Sequence, residues 1–195
     1  MMRAALLSLG VVFLAGAVPA AEFPKGDAQA GRKQAGQCRT CHGLDGFARI
    51  PIAPHIGGEP ADYIAQQLTA FRDGTRTHEM MSVVAKSLDD EKIADVAAWY
   101  AGHRIVATPT RGEGGAPPDC VSCHGVDGIA VIEEAPNLAG ESTIYIDTQL
   151  KAFRTGKRTH EIMNEVAAGM SDADIRSAAD WYGSVKIEIL PPATQ

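Results

Sequence analysis

The chain has 195 residues, of which 45% are apolar and 22% are charged, and its formal net charge is −6 at pH 7. This length allows one large domain or two small ones. The acidic balance argues against a nucleic-acid partner and suits a docking partner with a basic face.

The N-terminal residues 1–21 form a predicted signal peptide. Arg3 precedes an apolar run from Ala4 to Val18, and small residues follow at Val18-Pro19-Ala20. The apolar run is short for a membrane span, and an uncleaved anchor with peripheral membrane association is the alternative. We therefore expect an exported protein that resides in the periplasm if the source is a Gram-negative bacterium.

The remaining chain has helical periodicity. A first helix is predicted from Asp27, as N-cap, to about His42. A second helix is predicted to open at Pro60 and to stop at Gly74. A short helical turn is predicted from Met80 to Ser87, and a final helix is predicted to begin near Asp89. Strand alternation is nearly absent, so the predicted fold class is all-α.

The first predicted helix ends in the motif Cys38-Arg39-Thr40-Cys41-His42, which returns as Cys120-Val121-Ser122-Cys123-His124. This C-x-x-C-H spacing is typical of covalent attachment of a c-type haem. Residues three apart share a helix face, so both thiols can reach the vinyl groups of one porphyrin. The adjacent histidine, His42 or His124, then supplies the proximal nitrogen ligand to the iron.

A C-x-x-C pair can also form a redox dithiol or half of a zinc site, and the two pairs together could form one zinc site. The histidine that follows the second cysteine in both copies favours haem, because zinc has no use for that placement. All four cysteines of the chain lie in the two motifs. We therefore expect two covalently attached haem c groups and no disulfide.

The second half of the chain repeats the first. Adding 82 to a residue number from Cys38 onward gives the matching residue without a gap, as for Pro54 and Pro136, and the match continues to Trp99-Tyr100 and Trp181-Tyr182. Such a register indicates duplication, with one small domain around each haem.

The predicted division of the chain is domain 1 at residues 22–103, a linker at 104–118 and domain 2 at 119–190. The linker segment from Thr108 to Pro118 is rich in glycine and proline, which oppose a helix. Domain 2 is therefore expected to lack the first helix, or to have a shortened one.

The sixth iron ligand decides whether a haem carries electrons or performs chemistry. The repeat selects Met81 and Met163 as distal ligands, because they match each other. Met80 matches Ile162 and Met170 matches Leu88, as core residues would. His78 and His160 are rival ligands, since they too are matched, and a methionine can also be a flexible core residue.

Other matched polar residues have candidate supporting roles. The arginine pairs could neutralise haem propionates or be solvated charges: Arg72 and Arg154, Arg76 and Arg158. Gln67 and Gln149 could hydrogen-bond at the pocket or between domains. His55 matches Asn137 and His103 matches Val185, so neither histidine is expected to belong to a repeated site.

These motifs together resemble the di-haem cytochrome c4 family of bacterial periplasmic electron carriers. The resemblance rests on C-x-x-C-H-G, P-x-x-x-G-E, Y-I-x-x-Q-L-x-x-F-R-x-G-x-R and M-x-x-V-A, present twice between about Gly26 and Ser184. It implies two tandem class I cytochrome c domains related by pseudo-twofold symmetry, with the propionate edges of the haems near the domain interface.

The resemblance also implies roles for single residues. His42 and His124 become proximal ligands, Met81 and Met163 become distal ligands, and the carbonyls of Pro54 and Pro136 orient the imidazoles. The chain departs from the family at two places. Phe47 and Ile129 stand where family members usually have asparagine, and the helix before Cys120 is missing.

The leading functional hypothesis is a non-enzymatic carrier of single electrons. It would accept electrons from a donor dehydrogenase or quinol-oxidising complex and pass them to an oxidase or reductase. Residues 22–103 carry nine basic and eleven acidic side chains, whereas residues 104–195 carry eight and thirteen. This asymmetry predicts that the two domains dock different redox partners.

Two other functions remain open from the sequence. The chain could be the haem subunit of a dehydrogenase, such as a flavocytochrome c sulfide dehydrogenase or a thiosulfate-oxidising system. It could instead be a catalytic haem enzyme, such as a di-haem peroxidase or a thiosulfate dehydrogenase, but the matched methionines and the lack of a spare thiol oppose this. A monomer or a subunit of a heterocomplex is expected.

Overall fold

The computed structural model describes residues 24–111 and 115–192, so the predicted signal peptide lies outside the described residues. The first half contains α1 (Ala28–Gln34), α2 (Arg39–His42), α3 (Ala61–Asp73), α4 (Met81–Ala85), α5 (Asp90–Ala101) and β1 (Arg104–Thr108). The second half contains α6 (Pro118–His124), α7 (Thr143–Arg154), α8 (Glu161–Ala168), α9 (Asp172–Gly183) and β2 (Lys186–Leu190). No helix within residues 24–111 and 115–192 has the length and apolarity to cross a membrane.

The helix boundaries follow local chemistry. The Asp27 side chain accepts hydrogen bonds from the N–H groups of Gln29 and Ala30, which confirms it as the cap of α1. The predicted first helix is not continuous, because a 3₁₀ turn at Ala35–Gln37 separates α1 from α2. This turn positions the first cysteine motif on a separate short helix.

Each half has one core that its last helix organises. Along α5 the spacing predicts a buried stripe, and the structure confirms it for Ile93, Val96, Ala97 and Tyr100. This stripe packs on Ile64, Ala65 and Leu68 of α3 and on Ala35. In the second half Ala179, Trp181 and Tyr182 of α9 pack on Ile146 of α7. The two cores are equivalent, as the duplication requires.

Gly31 permits the close crossing of α1 and α5. A Cβ atom at this position would lie 1.9 Å from the backbone oxygen of Asp95. We expect Gly31→Ala to lower the free energy of unfolding by about 1–3 kcal/mol, because α1 would have to move away from α5. Gly36→Ala is the control, since no atom lies within 4 Å of its Cβ position. Equal stability of the two variants in chemical denaturation would contradict this account.

Domain 2 has no counterpart of α1 among the described residues that precede α6. Pro118, placed at the end of the predicted linker, is instead the first residue of α6. Ala116 packs against the core of the second half.

The two strands were not predicted, and they show how the halves are related. β1, which occupies the start of the predicted linker, pairs with β2 in an antiparallel sheet. Val106 lies opposite Glu188, its own equivalent in the repeat. On either side, Ile105 pairs with Ile189, the equivalent of Ala107, and Ala107 pairs with Ile187, the equivalent of Ile105. Such a pairing places a pseudo-twofold axis between these two residues.

Candidate haem sites

Each cysteine motif ends in a buried, oriented histidine. His42 and His124 are 7% and 6% exposed. Nδ1 of His42 donates to the carbonyl oxygen of Pro54 at 3.0 Å, and Nδ1 of His124 donates to that of Pro136 at 2.8 Å. Each bond leaves Nε2 without a proton and available as a metal ligand. Burial lowers the pKa of both imidazoles, which favours the neutral form that binds iron.

The chain turns sharply after each histidine. Gly43 and Gly125 adopt φ values of 72° and 75°, in the region that favours glycine. A Cβ at Gly43 would also lie 2.4 Å from the carbonyl oxygen of Phe47. The Gly-x-Asp-Gly segment that follows the motif can therefore fold back beneath the histidine.

The first thiol of each motif is in an environment unlike that of a redox dithiol. Burial raises the pKa of Cys38 to about 11, and it also raises the pKa of Cys120. A redox dithiol instead needs a lowered thiol pKa. Within the part of the chain that the structure describes, no three histidine, cysteine or acidic side chains converge as a metal cluster. The four cysteines therefore do not form the single zinc site considered from the sequence.

The methionines differ in exposure. Met81, at the start of α4, packs against the first core. Its neighbour Met80 is 60% exposed, and Ile162, the counterpart of Met80, is 53% exposed, so the expectation that these two are core residues is wrong. Met163, the counterpart of Met81, is only partly exposed in α8. These positions are compatible with the ligand assignment made from the repeat.

The rival histidines have a capping role. Nδ1 of His78 accepts from the N–H groups of Met80 and Met81 at 3.3 and 3.4 Å. Nδ1 of His160 accepts from the N–H of Met163 at 3.3 Å. The charges of His78 and His160 act to lower the pKa of His42 and His124, respectively. Both rivals therefore cap the backbone N–H groups of the candidate methionines.

Two of the matched arginines join helices within a domain. Arg72 pairs with Asp90 at 2.6 Å and with Asp73 at 3.0 Å, and Arg154 pairs with Asp172 at 2.6 Å. Asp90 and Asp172 begin α5 and α9. These arginines therefore link α3 to α5 in the first half and α7 to α9 in the second.

The other two matched arginines cross the domain interface. Arg158 donates to Gln149 of its own half at 2.8 Å and to Gln67 and Tyr63 of the other half at 3.0 and 3.1 Å. Arg76 makes the equivalent bonds to Gln67, Gln149 and Tyr145, at 2.7, 2.9 and 3.4 Å. The glutamines are thus interface residues, one of the two roles considered from the sequence.

A second set of interdomain bonds uses residues that the repeat analysis set aside. Nδ1 of His55 accepts from the N–H of Ala48 at 2.9 Å, and Nε2 donates to the carbonyl of Gly140 at 3.1 Å. In the other half Oδ1 of Asn137 accepts from Ala130 at 2.9 Å, and Nδ2 donates to Gly58 at 3.0 Å. An imidazole and an amide therefore make equivalent bonds, so His55 belongs to a repeated site after all.

Two buried carboxyl groups lie beside these bonds. Glu59 and Glu141 are 5% and 2% exposed. Oε2 of Glu59 accepts from the N–H of Asn137 at 3.0 Å, whereas Oε2 of Glu141 has no hydrogen-bond partner. Burial raises the pKa of Glu59 to about 8, and burial together with the charge of Glu59 raises that of Glu141 well above its usual range.

The residues present fit one covalently attached haem in each half. Each half offers two partly buried thiols, a neutral imidazole with a free Nε2, and a partly buried methionine. In the second half two buried polar atoms besides Oε2 of Glu141 also lack protein partners, the Trp181 Nε1 and the Tyr182 hydroxyl. In the first half, Trp99 and Tyr100 instead donate to the carbonyls of Leu44 and Gly43.

Comparison with known proteins matches both halves to cytochrome families. Residues 106–185 match the cytochrome c family, and residues 26–99 match the family described as cytochrome C oxidase, cbb3-type, subunit III. Cytochrome c4 of Pseudomonas aeruginosa is 33% identical over 90% of this chain and 94% of its own length. The thiosulfate dehydrogenase electron acceptor of Thiomonas intermedia is 31% identical over 92% of this chain and 89% of its own. The crystal structure of reduced cytochrome c4 from Pseudomonas stutzeri superposes with a TM-score of 0.73 at 27% identity, covering 83% of this chain and all of that one.

Proposed function

Because the chain belongs to the di-haem cytochrome c4 family, we propose that it moves single electrons between redox proteins, with His42 and Met81 on one haem iron and His124 and Met163 on the other. It carries two covalent haem c groups, attached through Cys38 and Cys41 and through Cys120 and Cys123. Each haem supplies an iron that takes up and gives back one electron.

The observation that carries this proposal is the fixed histidine in both halves, with Nδ1 bonded to a proline carbonyl. That bond holds the ring plane and increases the basicity of Nε2. We assign the second ligand to the methionine whose backbone N–H is capped by His78 or His160. Two strong ligands supplied by rigid helices favour electron transfer, because the geometry then changes little with oxidation state.

The domain interface supports transfer within one molecule. Arg76 and Arg158 bond across it to glutamine and tyrosine side chains, and β1 pairs with β2. These bonds fix the distance between the two sites, on which the rate of electron transfer depends. Transfer between the domains therefore needs no rearrangement of the chain.

The test is near-infrared magnetic circular dichroism of the oxidised holoprotein, with a haem-to-protein ratio. We expect two haems per chain and a methionine–iron charge-transfer band from both. Rapid reversible oxidation and reduction at an electrode should accompany this. A high-spin haem, or one that binds cyanide or turns over peroxide as isolated, would contradict the proposal and indicate catalysis at that domain.

A second candidate is the electron-accepting subunit of a dehydrogenase. The relative from Thiomonas intermedia favours it, because its name assigns it as an electron acceptor for thiosulfate dehydrogenase. A free carrier and such a subunit have the same haem sites. Co-purification with a dehydrogenase in stoichiometric amounts distinguishes the subunit from the carrier.

We further place the mature protein in the periplasm, after cleavage of the N-terminal segment. The more acidic second domain would dock a partner with a basic face, distinct from the partner of the first. The donor would be a dehydrogenase or quinol-oxidising complex and the acceptor an oxidase or reductase.

A further inference from the structure

Two peptide groups connect the proximal histidines to the buried carboxyls. The carbonyl of Pro136 accepts from Nδ1 of His124, and the N–H of the same peptide, which belongs to Asn137, donates to Oε2 of Glu59. Glu59 belongs to the opposite half of the chain. One peptide therefore joins a histidine of domain 2 to a carboxyl of domain 1.

The twofold relation gives the reverse connection. The carbonyl of Pro54 accepts from Nδ1 of His42, and the N–H of that peptide, which belongs to His55, favours the charged form of Glu141. Nε2 of His55 and Nδ2 of Asn137 tie the adjoining glycines, Gly140 and Gly58, to the same contact. Glu59 is therefore held against the peptide of the other domain, and the equivalent peptide lowers the pKa of Glu141 against the effect of burial.

The two carboxyls also act on each other. The charge of Glu59 raises the pKa of Glu141, and burial raises both. Neither glutamate is in an ion pair among the described residues. Like charges in a buried site cannot both ionise readily, so such a pair keeps a proton at neutral pH.

The surrounding charged and titratable groups do not remove the shared proton of Glu59 and Glu141. His55 is neutral, because its Nδ1 accepts a hydrogen bond and burial lowers its pKa. No cation at a described position contributes to the pKa shift of either glutamate. Arg158 and Arg76 instead lower the pKa of Tyr63, whereas burial and the charge of Glu59 raise it. These arginines also hold Gln67, Gln149 and Tyr145.

We propose that Glu59 and Glu141 form a proton-binding pair that takes up a proton when the haem of the opposite domain is reduced. In this step one electron from the donor protein reduces a ferric iron to ferrous, and one proton from solvent forms an O–H bond on the pair. Oxidation by the acceptor protein releases both. A charge on Glu59 polarises the Pro136–Asn137 peptide, strengthens its bond to His124 and thereby favours the ferric state.

The test is a redox titration of both haems between pH 5 and 10, resolved by NMR, in wild type, Glu59→Gln and Glu141→Gln. We expect the wild-type potentials to fall as pH rises through the titration of the pair. A tenfold higher proton affinity in the reduced protein corresponds to about 59 mV between the two plateaus. Glu59→Gln should abolish the fall mainly at the haem of domain 2, and Glu141→Gln mainly at that of domain 1.

Infrared spectroscopy gives an independent readout. The reduced-minus-oxidised difference spectrum should contain a protonated carboxyl band that weakens in each variant, because one of the two glutamates then remains. Glu91→Gln is the matched control, because it removes the same charge from an exposed position in α5 and should leave the band and the pH dependence intact. If glutamine at position 59 prevents folding, Glu59→Asp, which keeps the ionisable group but withdraws it from Asn137, should weaken the dependence.

The inference is overturned if the pH dependence is absent in wild type or is the same in the glutamine variants as in the control. It is also overturned if each variant affects only the haem of its own domain. It rests on the proposed histidine ligation and electron transfer, whose failure would appear separately as a changed magnetic circular dichroism spectrum. The redox titration needs no partner protein, so its outcome does not depend on which donor or acceptor the protein uses.

Discussion

Met81→Ala is expected to remove the methionine–iron charge-transfer band of one haem and to lower its reduction potential by an amount on the order of tenths of a volt. The thioether stabilises the ferrous state, and water or a histidine in its place does so less. The haem of domain 2 should keep its band. Met163→Ala should produce the reverse pattern.

Met80→Ala is the matched control, because it removes a methionine one residue away whose side chain is 60% exposed. It should leave both the spectrum and the potentials unchanged. His78→Ala removes the cap of α4 but should retain the charge-transfer band. If His78→Ala lost that band and Met81→Ala kept it, the rival histidine would be the ligand.

Arg158→Met should lower the free energy of unfolding by about 2–3 kcal/mol and weaken the contact between the domains. It removes three hydrogen bonds from a charged donor and leaves the carbonyl oxygens of Gln67 and Gln149 with fewer donors. Methionine keeps most of the apolar stem. Denaturant unfolding, followed at both haems, should then show the domains unfolding at different concentrations.

The double variant Arg76→Met with Arg158→Met tests whether the network acts as a unit. Both arginines bond to the same two glutamines, so the two effects should not add. Arg176→Met, at an exposed position of α9, should change stability by less than about 0.5 kcal/mol. A loss in Arg176→Met equal to that in Arg158→Met would argue against the interface role.

The duplication, the helices and the two Cys-x-x-Cys-His motifs could be predicted from the sequence. Each depends on local chemistry: the spacing of Cys38, Cys41 and His42, the cap at Asp27 and the apolar stripe of α5. These signals lie within one helix or in a comparison of the two halves. No knowledge of how the halves pack was needed.

The interface could not be predicted in the same way, because its contacts join residues far apart in sequence. Comparing residue types at matched positions separated His55 from Asn137, although each side chain offers one hydrogen-bond acceptor and one donor at similar distances from the backbone. This shared hydrogen-bonding capacity was the signal in the sequence that could have identified the two residues as equivalent. Glu59 and Glu141 were matched in the repeat, but only the structure shows that two Gly-Glu loops bury them against each other's domain. β1 and β2 were missed because each is a short strand paired only with the other.

The pairing of Val106 with its own counterpart Glu188 has a consequence for how such a chain can arise. An interface that is the same from both sides is isologous, the kind formed by two identical subunits of a C₂ homodimer. Each half presents a strand, an arginine and a glutamine that complement the same three groups on the other. A single-domain ancestor with this surface would have associated with itself, and gene fusion would then have made that association independent of protein concentration.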